Sequence, residues 1–281
     1  MKFGLAADGD SSPQVLNEMA LKGEELGFDC FLVTDHFMKG SLDAWTYLPY
    51  LAGKTQKIRL GTCVTPIPLR PPGILAKSIA TLDNLSGGRA ILGAGIGWHK
   101  PEFEGYSKWM DTPKRIAATQ EGLELMKKLW TEDRPVNYDG IFYRSVGAIA
   151  DPKPVQKPHP PIWFGAHGKK TLRLTGKFGD GWIPVGPRWA GDFFPTPEAY
   201  ATMKKTILKD LKDRYDYSNP EKFVFSMLIN YTDDMNKLRD EIKKYVAAGL
   251  NYFILGMADQ REGCAGKIGQ VKERIIDTLW P

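Results

Sequence analysis

Cysteine and histidine are both scarce, with three of the first and four of the second in 281 residues. Cys30, Cys63 and Cys264 are widely spaced and odd in number. They suit neither a disulfide framework nor a thiolate zinc site, and lead us to expect reduced thiols and a cytoplasmic protein. His36, His99, His159 and His167 fall in no HExxH pattern, so no metal is expected. Charge of one sign is also in short supply. The 38 Lys and Arg stand against 33 Asp and Glu, a net +5, too little and too scattered for a nucleic-acid partner. No apolar run approaches the ~18 residues of a membrane span. The opening Met1-Lys2-Phe3-Gly4-Leu5 enters a strand-like run at once, which leaves no room for a signal peptide. There is no GxSxG, and hence no support for a hydrolase triad.

What remains is ordinary globular composition, 42% hydrophobic and 25% charged, in a chain long enough for one large α/β barrel and an insertion. Short apolar runs alternate with amphipathic stretches. Strands are predicted at Lys2–Ala7, Cys30–Thr34, Ile58–Val64, Arg89–Gly95, Ile162–Phe164, Gly181–Pro184, Phe223–Ile229 and Tyr252–Leu255. Helices are predicted at Pro13–Leu26, Ala44–Lys54, Gly73–Leu85, Arg115–Trp130, Lys169–Phe178, Pro197–Tyr215, Asp233–Ala248 and Gly266–Leu279. Ile96–Thr112 reads as a glycine- and aromatic-rich loop. Thr131–Pro160, with five prolines, reads as an insertion holding one hairpin. Eight βα units point to the α/β class and a (β/α)8 TIM barrel, one domain over residues 1–281, with an insertion at about 131–160 before strand five. A doubly wound sheet is the competitor, but the GxGxxG turn it usually carries is missing after the first strand.

In such a barrel the chemistry sits at the C-terminal ends of the strands. The residues there are Asp8 and Asp10; Thr34-Asp35-His36-Phe37; Cys63-Val64-Thr65-Pro66; Gly95-Ile96-Gly97-Trp98-His99; Gly165-Ala166-His167-Gly168; Pro184-Val185-Gly186; and Gly256-Met257-Ala258. His36 beside Asp35 is an acid/base candidate, because imidazole titrates near neutrality and a carboxylate can orient it. The alternative is that Asp35 caps a turn and His36 packs. Neighbouring side chains on an extended chain face opposite ways, so one can face the mouth while the other holds a loop. Gly93, Gly95 and Gly97 would let a ligand approach the backbone. Gly165–Gly168 precedes a helix whose free amides suit a phosphate, or is a plain strand–helix turn. Asp8, Asp10, Glu102 and Glu104 offer carboxylates for glycoside hydrolysis, or are solvated loop charges.

These segments resemble the bacterial luciferase-like flavin and deazaflavin oxidoreductases. The likeness rests on Gly27-Phe28-Asp29, Val33-Thr34-Asp35-His36-Phe37, Ile58–Val64, Leu75-Ala76-Lys77, Ala80–Arg89, Leu92–Trp98, Glu102-Phe103, Pro161–Gly165 and Gly179–Trp182, in the family's order. Members use FMN with oxygen or coenzyme F420 without it, and Asp35-His36 with Gly61–Val64 look most like the F420 branch. The resemblance implies an oxidoreductase that moves hydride between coenzyme F420 and a small organic substrate. His36 would be the catalytic acid/base, and Asp35 would lie near the deazaflavin ring. Cys63, Val64 and Thr65 would stand behind the ring, with a cis peptide between Cys63 and Val64. Gly95, Ile96, Gly97 and Trp98, with Gly165, Ala166, His167 and Gly168, would cradle the ribityl phosphate. Ile96 and Trp98 replace the threonine and glutamate of the sugar-phosphate branch, so its substrate-protonating carboxylate is missing unless Glu102 substitutes. Phe37, Trp98 and Trp109 then line an aromatic pocket or pack within loops. A homodimer through the second and third helices is also implied; Leu48, Tyr50, Leu51 and Ile79 would form that face or pack on the barrel. Alternatives are an FMN-dependent monooxygenase fed by a partner flavin reductase, and a non-catalytic flavin-binding barrel.

Overall fold

A computed structural model describes residues 1–8, 10–38, 40–184, 194–212, 222–257 and 263–280. Val185, Gly186 and Ala258, named above at strand ends, lie outside the described residues, as does Tyr215. The elements in order are β1 (Lys2–Ala7), α1 (Pro13–Glu25), β2 (Cys30–Val33), α2 (Ala44–Ala52), β3 (Arg59–Thr62), β4 (Thr65–Pro66), α3 (Pro72–Leu85), β5 (Ala90–Gly95), α4 (Lys100–Tyr106) and α5 (Thr112–Thr131). There follow β6 (Val136–Asp139), β7 (Arg144–Ala148), β8 (Ile162–Gly165), α6 (Lys169–Phe178), β9 (Gly181–Ile183), α7 (Pro197–Leu211), β10 (Val224–Asn230), α8 (Met235–Ala247), β11 (Tyr252–Met257) and α9 (Cys264–Val271). A π turn (Lys272–Ile276) and the short α10 (Asp277–Leu279) end the chain.

The parallel strands run in the order β3-β2-β1-β11-β10-β9-β8-β5, and β3 pairs with β5 to close an eight-stranded barrel; β4 is a detached continuation of β3. Alternation along each strand sorts the side chains. Leu5, Phe31, Leu60, Leu92, Phe164 and Phe253 face the helices. Ala6, Leu32, Ile91, Trp163, Ile183, Tyr252 and Ile254 fill the lumen. Both faces are therefore apolar, which is why the strands read as unbroken hydrophobic runs.

The lower lumen is closed by Tyr252, whose hydroxyl donates to Asp29 at 2.8 Å, and by Trp163, under the Arg59 guanidinium at 5.7 Å. Ser86-Gly87-Gly88-Arg89 has a structural use. Gly87 and Gly88 adopt φ of 67° and 86°, and buried Arg89 donates to the carbonyls of Ala52, Thr55, Ile58 and Ser86.

Two expectations change. The third strand spans Arg59–Thr62 only, and the cis Cys63–Val64 peptide follows it. Within Ile96–Thr112, α4 forms, with Pro101 in its first turn and Phe103 fully buried. The insertion holds the expected hairpin (β6–β7), with Phe142 and Tyr143 in its turn. There the Glu121 carboxylate accepts the N–H groups of Ile141, Phe142 and Tyr143 at 2.7, 2.8 and 3.1 Å. Leu48, Leu51 and Ile79 are buried within the chain, and of the four residues named for a dimer face only Tyr50 is exposed. Among the described residues no helix is long and apolar enough to cross a membrane.

Candidate active site

The strand order gathers the sequence candidates onto one arc of the mouth. Val33 is paired with Thr62, Thr65 with Ala94, and Gly93 with Trp163. The ends of β2, β3/β4, β5 and β8 therefore stand side by side, carrying Asp35-His36, Cys63-Val64-Thr65, Gly95–Trp98 and Gly165–Gly168.

Asp35 and His36 do point apart, as extended backbone requires. Asp35 is 1% exposed. It takes a bidentate pair from Arg70, with Nε to Oδ2 at 3.0 Å and Nη2 to Oδ1 at 2.6 Å. Its Oδ2 also accepts from Thr65 Oγ1 at 2.8 Å and Trp45 Nε1 at 3.2 Å. Arg70 Nη2 reaches on to Asp43 at 2.6 Å, the residue that caps α2. Asp35 and Thr65 thus brace the loops after β2 and β4 against each other. Arg70, Trp45 and Asp43 were not foreseen; their only sequence signal is that a buried carboxylate needs a cation and further donors.

His36 is partly exposed, and its Nδ1 lies 2.9 Å from Glu102 Oε1 on α4. Glu102 is itself buried. Burial opposes the charged imidazolium, but the Glu102 hydrogen bond and charge, followed by the charges of Asp35 and Asp8, outweigh it and hold the His36 pKa above its ordinary value. Glu102 is therefore beside the acid/base candidate, although Trp98 holds the place expected for a carboxylate. Glu104 is exposed and pairs with Lys100 at 3.4 Å, and Asp10 is exposed too.

The cis Cys63–Val64 peptide is present, as the resemblance implied. A Cβ on Gly93 would collide with the Thr62 carbonyl, and one on Gly95 would come within 2.7 Å of Val64 Cγ2. These glycines make room for the chain's own bulge. Gly97, at φ 72°, makes room for the Phe103 ring. Phe37 stacks on Tyr106 at 4.9 Å, and Trp109 packs on Phe103 at 5.5 Å. Trp98, by contrast, is exposed and edges the His36 ring at 5.8 Å. Beyond Ile96, on the neighbouring loop, Ala166 is buried and its carbonyl accepts from Trp182 Nε1 at 2.8 Å. His167 is partly buried, and exposed Gly168 forms the N-cap of α6.

Ala6 and Gly256 are paired small residues on the inward face near the ends of β1 and β11, beside Leu32. Asn230, at the end of β10, has a buried Oδ1 with no hydrogen-bond partner among the described residues. An orphaned acceptor and an imidazole at the strand ends fit a ring with polar edges.

A family model for luciferase-like monooxygenases matches residues 1–272. An F420-dependent glucose-6-phosphate dehydrogenase of Nakamurella multipartita is 34% identical over 259 residues, 89% of this chain and 74% of its own. One of Segniliparus rotundus is 36% identical over 192 residues, 65% of this chain and 56% of its own. The chain spans a little over half the length of the first curated relatives it matches. A solved F420-dependent secondary alcohol dehydrogenase, in complex with an F420–acetone adduct, shares the fold with a TM-score of 0.84 at 23% identity over 98% of each chain.

Proposed function

This chain belongs to the luciferase-like monooxygenase family, and on that premise we propose that it is an oxidoreductase moving hydride between coenzyme F420 and a small organic substrate. The observation that carries the reading is His36 at the mouth of the barrel, with Nδ1 held 2.9 Å from a buried carboxylate. The names of the relatives supply the choice of coenzyme. Cys63, Val64 and Thr65 would back the ring, Gly95–Trp98 and Gly165–Gly168 would hold its phosphate arm, and Asp35 with Arg70 would keep the wall in shape. Coenzyme F420, when bound, supplies a carbon that accepts or donates hydride.

The protein's own part is proton handling and orientation. With Nδ1 directed at Glu102, His36 Nε2 takes the hydroxyl proton of an alcohol as its C–H bond is oxidised, and returns it in the reverse direction. Trp98, whose ring edges His36 at 5.8 Å, flanks that contact. A homodimer and a cytoplasmic location belong to the same proposal; sedimentation of the purified protein tests the former.

The function is tested by titrating the protein with oxidised F420 and, separately, with FMN, following the fluorescence of its eight tryptophans. Saturable quenching by F420, with F420 reduced when a secondary alcohol is added, is the expected result. Tighter binding of FMN would favour the monooxygenase with its partner reductase. Binding without any redox turnover would leave a non-catalytic barrel.

A further inference from the structure

We infer that Glu102, His99 and His36 form a cluster in which Glu102 is the positioning residue for His36 and His99 competes for the same carboxylate oxygen. Glu102 Oε1 lies 2.9 Å from His36 Nδ1 and 3.5 Å from His99 Nδ1. Glu102 is 4% exposed, so water does not readily replace either imidazole. His99 Nδ1 is buried and makes no hydrogen bond among the described residues, so the first claim on the oxygen is His36's and the second is His99's. The arrangement follows from α4. His99 is its N-cap and Glu102 stands three residues on, which puts both on one side of the first turn. The Trp98 ring lies 5.8 Å from His36 and 5.0 Å from His99, closing the cluster from outside.

Two consequences follow. A carboxylate accepts only, so neutral His36 carries its proton on Nδ1 and presents Nε2 as the acceptor. And one oxygen cannot fully satisfy two imidazole rings, so what His99 takes from it is lost to His36. The other charges facing His36 are Asp35 beside it and Asp8 from the end of β1, with Arg70 and Asp43 beyond Asp35. The charged groups next to His99 are Glu102 and, one residue on, Lys100, which pairs with Glu104. The catalytic meaning of the cluster rests on the function proposed above; its existence does not.

The test is nitrogen-15 NMR of the four histidines in the full chain without coenzyme, from pH 5 to 10. We expect wild-type His36 to be the Nδ1–H tautomer, with a midpoint above the ordinary imidazole value. Glu102→Gln should mix the tautomers and lower the His36 midpoint by at least ~1 pH unit. His99→Asn should raise the His36 midpoint, because the carboxylate oxygen is then left to His36. An Nε2–H tautomer in wild type, which needs no variant to observe, overturns the positioning role. So does an unmoved midpoint in Glu102→Gln, and an unchanged curve in His99→Asn removes the competition. The same wild-type sample is then titrated with oxidised F420. Failure to bind, with the NMR result intact, sinks the proposed function and leaves the cluster standing.

Discussion

At the scale of single residues, Asp35 and His36 divide the work that a sequence motif presents as one pair. The raised pKa of His36 means that the neutral base appears only above the usual imidazole range of about 6.5. Hence kcat/KM for alcohol oxidation should rise with pH to an inflection above that range. His36→Ala should keep coenzyme binding and lose about 10²–10⁴-fold in turnover, read by steady-state kinetics; unchanged turnover would remove the role. Stability follows the opposite course. A pKa raised on folding contributes stability below about 6.5, lost as pH climbs through the folded value. The destabilisation seen for His36→Ala in urea should therefore shrink as the medium becomes alkaline. Asp35→Ala strands the Arg70 guanidinium in a mostly buried site, with Asp43 as its one remaining carboxylate. A loss of about 3 kcal/mol in urea unfolding is expected, and a near-neutral result would show that solvent reaches Arg70.

At the scale of elements, the strands were legible because both faces of a barrel strand are buried. Lys2–Ala7 is found as read, and Arg89–Gly95 differs by one residue. Helices with capping residues were equally plain: Ser12 Oγ accepts from Val15 N–H at 3.3 Å at the start of α1. What failed was short or bent. The helix α4 has seven residues, one of them Gly105, and is held by the buried Phe103 rather than by local propensity. Nothing local to Glu102 says that it meets His36, because that contact spans 66 positions. Two substitutions separate the kinds of element-level constraint. Gly93→Ala puts a methyl group into the Thr62 carbonyl of the adjacent strand. Neither backbone can yield without opening the β3–β5 seam, so loss of soluble folded protein is expected, and a normal circular dichroism melt would refute it. Asp43→Ala removes the α2 cap, where Oδ1 accepts from Thr46 N–H at 2.8 Å. That should cost about 1 kcal/mol by denaturant titration and leave the fold intact.

For the whole molecule, closure of the barrel makes the mouth and the core one cooperative structure. β1 pairs with β11 at one side and β2 at the other, and the seam is sealed by β3 with β5. The arc that carries the candidate site runs across that seam, so a ligand lying on it ties together strands far apart in sequence. A ligand that binds only the folded state stabilises it by mass action. At 100 times its Kd the gain is about 2.7 kcal/mol, and for a chain of this size each kcal/mol shifts Tm by about 2–4 °C. Oxidised F420 should therefore raise the melting temperature by roughly 5–10 °C at that excess. His36→Ala should show a shift of similar size, since the proposed role of the imidazole is proton transfer and not retention of the ring. If the shift disappears in His36→Ala, the imidazole is a binding group and its kinetic loss says nothing about acid/base chemistry. If FMN gives the larger shift in the wild-type protein, the mouth takes a flavin, and the F420 reading yields to the monooxygenase.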